Sequence, residues 1–489
     1  MTATLSDVAA ALHRAERHGR DVEVIGATHD SRQVASGWLF CAIPGARHDG
    51  HDHAESAVEA GAAALLVERW LDLAVPQIRV PSVRAATGPA AAVIHGRASD
   101  RLAVVGITGT NGKTTIAYLL EAAAAASARG TGVIGTVEAR IHGERQEGLR
   151  TTPEGTDLQR LLRHMDDRGV DVVAMEVSSH GLDLRRVDGT RFAVGVFTNL
   201  SQDHLDWHGS MEAYFTAKAR LFTPEFTRHG VVVIDDAWGR RLADQATVPV
   251  TTVGRDDAAD VQIVAEELDV RGGLARLRWG DDEVEVTTQM PGDFNLANAV
   301  VAVVAATAVG LPRDAAITGV AACPGAPGRL ERVQAASKIE VLVDYAHSPD
   351  AVSSVLRSLR TSLDPQGRLI LVLGAGGDRD RGKRAAMGAA ATLADVAVLT
   401  SDNPRSEDPQ AILDALATGA KDTDASSEVV LELDRRQAIH RAIERATPGD
   451  VVLIAGKGHE TTQELADRVV PFDDRAVAAE ALEAIGGHR

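Results

Sequence analysis

The chain has 489 residues, 69 acidic against 51 basic and a net charge of -18, which excludes general attraction to a nucleic-acid backbone as its mode of action. Its 45% hydrophobic and 25% charged residues are those of a globular chain, and the length calls for about three hydrophobic cores rather than one. Cys41 and Cys323 are too few and too far apart for a disulfide framework or a paired-cysteine metal site, which fits a reducing cytosol.

The opening residues, Met1 to Arg20, spread Asp and Arg among apolar positions and predict an amphipathic helix rather than an apolar export signal. Up to residue 97, short strand-like runs such as Gly61 to Val67 alternate with polar turns, the pattern of a small α/β unit. From Leu102 to Ile107 an apolar run leads into a Gly-rich turn and then an Ala-rich helical stretch, Ile116 to Ala128. Further apolar runs at Val170 to Met175, Val194 to Phe197 and Val231 to Ile234 predict a parallel sheet with crossover helices. The run Ala299 to Leu311 is too short to span a membrane and predicts a buried helix.

Two Pro and two Gly crowd into Cys323 to Gly328 and predict a boundary. Beyond it, Ile339 to Val343, Leu369 to Leu373, Val396 to Thr400 and Val451 to Ala455 predict strands, each followed by a polar or Gly-rich loop. Ligands of such a doubly wound sheet gather at the carboxyl ends of its strands. The expected fold is therefore α/β in three domains: a small N-terminal α/β domain over 1–97, a central phosphate-loop ATPase domain with a parallel sheet over 98–325, and a C-terminal Rossmann-like domain over 326–489.

The strongest chemical signal is Gly106-Ile-Thr-Gly-Thr-Asn-Gly-Lys-Thr-Thr115, placed between strand and helix. Backbone N–H groups of such a loop cradle phosphates, Lys113 neutralises them, and the Thr114 hydroxyl can ligate magnesium. Ile107 stands where the strict phosphate-loop pattern has Gly, but Gly109 and Gly112 keep the loop open to close approach.

Within that loop, Gly109-Thr-Asn-Gly-Lys-Thr-Thr115 resembles the nucleotide loop of the Mur ligases. Thr151-Thr-Pro153, Met175 to Leu182, Phe197 to Asp206, Asp344 to His347, Gly376 to Asp380, Asp402-Asn-Pro-Arg405 and Gly456-Lys-Gly-His-Glu460 agree in order with the member of that family that adds the third amino acid. The likeness runs from Thr28 to Glu460. It implies a cytoplasmic, monomeric, ATP-dependent ligase that joins meso-diaminopimelate to UDP-N-acetylmuramoyl-L-alanyl-D-glutamate in cell-wall synthesis. The implied path is an acyl phosphate, with magnesium as cofactor and no part for nucleic acid or membrane.

The same resemblance assigns roles residue by residue. Lys113, Lys218, His204 and Glu176 are implied to be catalytic, and Thr114, Glu176, His204 and a carbamylated Lys218 to support the metal. Gly109, Thr110, Asn111, Gly112, Lys113, Thr114, Thr115, Asn295, Arg329, Asp344 and His347 are implied to hold ATP, with Asn298 beside Asn295 on the adenine side. For the nucleotide-linked muropeptide the implied residues are Ser31, Ala46, Arg47, His48, Thr151, Thr152, Ser178 and Arg186. Leu184 replaces a Gln found in some relatives. Arg379, Asp402, Asn403, Pro404, Arg405, Gly456 and Glu460 are implied to take the amino acid. Chemistry supports that last set, because the Arg405 fork suits the distal carboxylate that distinguishes meso-diaminopimelate from lysine, and Asp402 can accept from an ammonium. Three readings compete: the same ligase with L-lysine or another diamino acid, a folate-type polyglutamate ligase, and a phosphate-loop NTPase switch that makes no covalent bond.

Overall fold

The computed structural model describes residues 3–45, 48–146, 151–335, 337–423 and 425–486. The chain divides into two compact units, one of Met1–Ile263, Arg278–Asp282 and Val300–Val320, the other of Val264–Leu277, Glu283–Ala299 and Ala321–Arg489.

The first unit begins with a five-stranded sheet in the order Glu16–His18, Gln77–Arg79, Ala64–Val67, Trp38–Cys41, Gly26–Thr28. Four strands are parallel and Glu16–His18 is an antiparallel edge. Alternate residues of the central strands enter two different cores: Leu39, Cys41, Ala64 and Leu66 on one side, Phe40, Leu65 and Val67 on the other. Burial of both faces explains why these strands read as continuous apolar runs. The single long helix expected at the start is shorter than predicted. A capping box between Thr4 and Asp7 starts the helix Leu5–Ala10, which gives way to the edge strand after a left-handed Arg14. Pairing of Glu16–His18 with Gln77–Arg79 supplies backbone hydrogen bonds that the periodicity could not foresee.

The sheet that follows contains the parallel strands Thr131–Ile134, Val172–Glu176, Ala103–Thr108, Phe192–Phe197, Thr227–Val233 and Val250–Gly254, in that spatial order. Ala103–Thr108 comes first in sequence yet lies inside the sheet, with Val172–Glu176 on one side and Phe192–Phe197 on the other. Its carboxyl end is thus a topological switch point, the place where open α/β sheets bind ligands. The Gly-rich turn occupies that point and runs into the helix Lys113–Ala126. No described helix is long and apolar enough to cross a membrane.

In the second unit, six strands lie in the order Glu331–Arg332, Glu340–Asp344, Val451–Ala455, Leu369–Ala375, Val396–Ser401, Glu428–Leu431, all parallel except the first. Leu369, Leu371 and Leu373 enter one core, Ile370 and Val372 the other, again burying both faces. The expected buried helix starts and ends earlier than its apolar run, over Asp293–Ala308, and its first part, which belongs to this unit, includes Asn295 and Asn298. A fully buried ion pair, Arg435 to Asp474, with nitrogen–oxygen distances of 2.8 and 2.7 Å, also ties down strand ends: Arg435 donates to the carbonyls of Ala455 at 3.0 Å and Ser401 at 3.4 Å. Those two strands deliver the Gly456 and Asp402 loops.

Candidate functional site

Two sites emerge, one in each unit. In the first unit the Gly-rich turn is shaped by glycine. Gly109 has φ +146° and a Cβ there would stand 1.9 Å from Thr198 Oγ1, while Gly112 enters the helix at φ +90° without a side-chain cap. Thr198 and Asn199, just after the strand Phe192–Phe197, fasten the turn from the side. Thr198 Oγ1 donates to the Asn111 carbonyl at 2.6 Å, Asn199 Oδ1 accepts from Asn111 N at 3.0 Å, and the Asn199 carbonyl accepts from Thr110 N at 3.0 Å. Neither residue was singled out from sequence, although both lie inside a motif quoted above.

Two lysines converge on one carbonyl of this turn. Lys113 Nζ donates to the oxygens of Gly109 and Thr110, both at 2.9 Å, and Lys218 Nζ donates to Gly109 O at 2.9 Å. Lys218 is only 1% exposed and sits 4.6 Å from the centre of the Tyr214 ring. Burial holds its ammonium well below the ordinary lysine range, Lys113 adds to the effect, and Asp203 opposes it. The solvent-facing helix position that sequence alone would give Lys218 is therefore not what the fold provides.

Beside the lysines, Thr114 Oγ1 donates to Glu176 Oε1 at 2.9 Å. Glu176 is 1% exposed, at the end of Val172–Glu176, and also accepts from Thr136 N at 2.8 Å and from Thr136 Oγ1 at 3.0 Å. Thr115 is buried in the first turn of the helix. These hydroxyl and carboxylate oxygens are suitable donors for magnesium, a hard cation. His204 stands with φ +54° in a cluster of rings, 4.9 Å from His180 and 6.0 Å from Tyr214 between centroids. Burial lowers the affinity of His180, His204 and His208 for protons. Among the described residues no group of three or more His, Cys, Asp or Glu converges as a ready-made metal cage.

Three of the residues assigned to the muropeptide come together in the same unit. Thr152 Oγ1 lies 3.1 Å from Ser178 Oγ, and Arg186 donates to Thr152 O at 3.3 Å while its Nε lies 2.8 Å from Glu154. Thr151 adjoins them in sequence. Ser31 sits in the short helical turn Ser31–Gln33, and His48 is exposed, its carbonyl accepting from Gly45 N at 2.9 Å. Ala46 and Arg47 lie outside the described residues.

The second unit gathers its loops at the carboxyl edge of its sheet. Asp344 ends its strand, buried, and accepts from Leu330 N and Ala346 N at 2.8 Å each; burial raises its carboxyl above the usual range. Arg329 stacks over Tyr345 at 4.7 Å, and Tyr345 in turn meets the His347 ring at 4.7 Å. Asn295 and Asn298 are buried on their helix, where Asn295 Nδ2 donates to Pro291 O at 2.9 Å.

Asp402, Asn403, Pro404 and Arg405 follow the strand Val396–Ser401, as expected for a ligand loop. Arg405 has φ +52°, and its guanidinium donates from Nε to Glu464 Oε2 at 2.6 Å and from Nη1 to the Gly377 carbonyl at 2.8 Å. Asn403 Nδ2 donates to Glu460 Oε2 at 2.8 Å, and Gly456, at φ +113°, lets Asp402 approach so that a Cβ would stand 2.5 Å from its carboxylate. Arg379 is exposed in the neighbouring Gly376 to Asp380 loop. Lys457 and Glu464 join this set and were missed; Lys457 lies in the quoted Gly456 to Glu460 motif, whereas Glu464 has no signal in the sequence.

Comparison with known proteins now adds an independent line. Three family models match successive stretches: the catalytic domain of the Mur ligase family over 23–100, the Mur ligase middle domain over 107–306, and the Mur ligase glutamate ligase domain over 328–458. Proteins of Streptomyces avermitilis (49% identical, covering 96% of this chain and 94% of that one) and Streptomyces coelicolor (50%, covering 95% and 94%) both carry the name UDP-N-acetylmuramoyl-L-alanyl-D-glutamate--2,6-diaminopimelate ligase. A solved structure of a ligase of that name aligns with TM-score 0.74 and 32% identity over 99% of this chain and all of the other. A Mycobacterium tuberculosis folylpolyglutamate synthase complexed with ADP aligns with TM-score 0.60 at 22% identity, covering 76% of this chain and 91% of that one, which shows the fold alone.

Proposed function

From the premise that the chain belongs to the Mur ligase family, we propose that it is the ATP-dependent ligase that adds meso-diaminopimelate to UDP-N-acetylmuramoyl-L-alanyl-D-glutamate. It would act in the cytoplasm as a monomer. The observation that carries the chemistry is the convergence of Lys113 and Lys218 on the Gly109 carbonyl beside the buried Thr114 and Glu176 pair. A phosphate cradle with two amines and a hard-oxygen donor pair suits activation of a carboxylate by a phosphoryl group.

In the first step the free side-chain carboxylate of the glutamyl residue attacks the γ-phosphorus of ATP; a new P–O bond forms, the bond to ADP breaks, and an acyl phosphate results. Anion meets anion here, so the turn's N–H groups and Lys113 lower the barrier by holding charge as it spreads over the transferring group. Magnesium held by Thr114 and Glu176, with His204 as a further candidate ligand, would supply additional charge neutralisation when bound. Burial disfavours the charged form of Lys218, and the neutral amine is the form that reacts with carbon dioxide, releasing one proton and leaving a carbamate anion able to support the cation. Exposure to labelled bicarbonate followed by carbon NMR tests this modification, and the absence of a carbamate signal in active protein would remove it.

In the second step the amine of the diamino acid attacks the acyl carbon, the C–N bond forms, phosphate leaves with the C–O electron pair, and the amine gives up its proton. Glu460 and Asp402 suit an ammonium and Arg405 a carboxylate, which favours meso-diaminopimelate over lysine. The test is amide formation with ATP and the UDP-linked dipeptide, offering meso-diaminopimelate and L-lysine separately. Product with meso-diaminopimelate alone supports the whole reading, product with lysine overturns the specificity, and product with neither reopens the choice between another ligase and an NTPase switch.

A further inference from the structure

Lys457 is fully buried, yet its ammonium is saturated by three acceptors from the surrounding loops: Asn403 Oδ1 at 3.0 Å, Glu460 Oε2 at 3.1 Å and the Thr462 carbonyl at 2.6 Å. An ammonium has three protons, so no further acceptor is needed. Burying a charge in this way is a poor route to stability, because apolar replacements of buried ionic groups are often neutral or better. Its consequence lies in orientation. Asn403 Oδ1 also accepts from Glu464 N at 3.0 Å, so two donors fix the oxygen end of the amide and turn its NH2 toward Glu460, which it meets at 2.8 Å. Among the described residues both side-chain bonds to Glu460 therefore fall on Oε2, and Oε1 is the oxygen placed to meet a ligand.

We propose that Lys457 is a positioning residue of the acceptor site, setting the Asn403 amide and the Glu460 carboxylate in the orientation that receives the ammonium group of a diamino acid. The inference rests on the function proposed above. It differs from a purely structural role, which would lower the amount of folded protein without favouring one substrate over another.

The experiment compares steady-state kinetics of the full chain with Lys457→Met, Glu460→Gln and the double variant, alongside their thermal melting. Expected for Lys457→Met is a rise in KM for meso-diaminopimelate of about tenfold to a hundredfold, with KM for ATP and for the UDP-linked dipeptide unchanged. Should Lys457→Met fail to fold, the double variant, which removes both members of the charge pair, is read against Glu460→Gln. A KM for the diamino acid higher in the double variant than in Glu460→Gln supports positioning through Asn403, and equal values overturn it. Unchanged KM values in folded, active Lys457→Met overturn the inference alone, whereas absence of product from the unsubstituted protein overturns the function and the inference together.

Discussion

The phosphate turn and the acceptor loops are both placed at carboxyl ends of parallel strands, but they are built by opposite means. Around Gly109 the construction is backbone: positive φ at Gly109 and Gly112, and carbonyls that receive two lysines. Around Asp402 it is side chain against side chain, with Arg405 on Glu464, Asn403 on Glu460 and Lys457 on both Asn403 and Glu460. A backbone cradle recognises any polyphosphate and supplies charge to a transition state. A side-chain network suits recognition of a single amino acid, the role proposed for it above. Substitutions in the first should therefore strike turnover, and those in the second the affinity for a single substrate.

The largest effect is expected from Lys113→Ala, which removes charge stabilisation from phosphoryl transfer and should lower kcat by about a hundredfold to a thousandfold. Measured KM for the diamino acid should stay close to its original value. A KM effect confined to the diamino acid would erase the contrast. On the other side, Arg405→Ala removes a charged fork at a cost on the order of 2 to 5 kcal/mol, raising KM for meso-diaminopimelate roughly thirtyfold or more. KM for ATP is the control, and equal rises in both would sever Arg405 from the acceptor pocket.

A matched pair of glycine substitutions sharpens the comparison. In Gly109→Ala the new Cβ would lie 1.9 Å from Thr198 Oγ1, and in Gly456→Ala 2.5 Å from the Asp402 carboxylate, each at a positive φ. Each strained backbone should cost about 1 to 3 kcal/mol. Calorimetric titration should show Gly109→Ala weakening nucleotide binding and Gly456→Ala leaving it intact. Loss of nucleotide binding in both would mean that the two loops do not act separately.

The sequence disclosed these regions to different depths. Strands buried on both faces announce themselves as continuous apolar runs, and Leu369–Ala375, Val396–Ser401 and Val451–Ala455 extend the predicted runs by no more than two residues. The phosphate turn was equally plain, since its chemistry is local: glycines, Lys113 and Thr114 occur within one short string. Lys218 needed the resemblance, because a lysine in a helix reads as solvent-facing and only the tertiary fold buries it against Tyr214. The strands Val261–Asp269, Gly272–Trp279 and Asp282–Thr288 mix their apolar residues with charged ones and so do not read as continuous apolar runs. Glu464 could not be read at all, and Lys457, though inside a motif, gave no sign of its role, since each depends on a partner more than fifty positions away, Arg405 and Asn403.

Acid should expose a further asymmetry. Behind the acceptor loops, hydrogen bonds from Arg384 hold the Glu407 carboxyl down to about 2 from its usual 4.5. A carboxylate with a depressed folded pKa binds fewer protons when folded, so its contribution is present above 4.5 and is lost as pH falls from 4.5 toward about 2. Glu407→Gln should flatten that part of the acid unfolding curve followed by circular dichroism, and an unchanged slope would remove Glu407 from the acid-sensitive set.

The smallest effect tests whether the acceptor network competes with its own substrate. Arg405 Nε is engaged by Glu464 at 2.6 Å, and that glutamate side chain is 45% exposed, so the pair is screened by water. Such pairs contribute about 0 to 1 kcal/mol. Glu464→Gln keeps a hydrogen-bond acceptor in place but withdraws the charge that rivals an incoming carboxylate. KM for meso-diaminopimelate should then fall by up to about fivefold, while L-lysine, which has no distal carboxylate to offer Arg405, gains nothing. A rise in KM instead would place Glu464 among the groups that hold the amino acid, and the acceptor site would be a network completed by its ligand rather than one the ligand must enter by displacement.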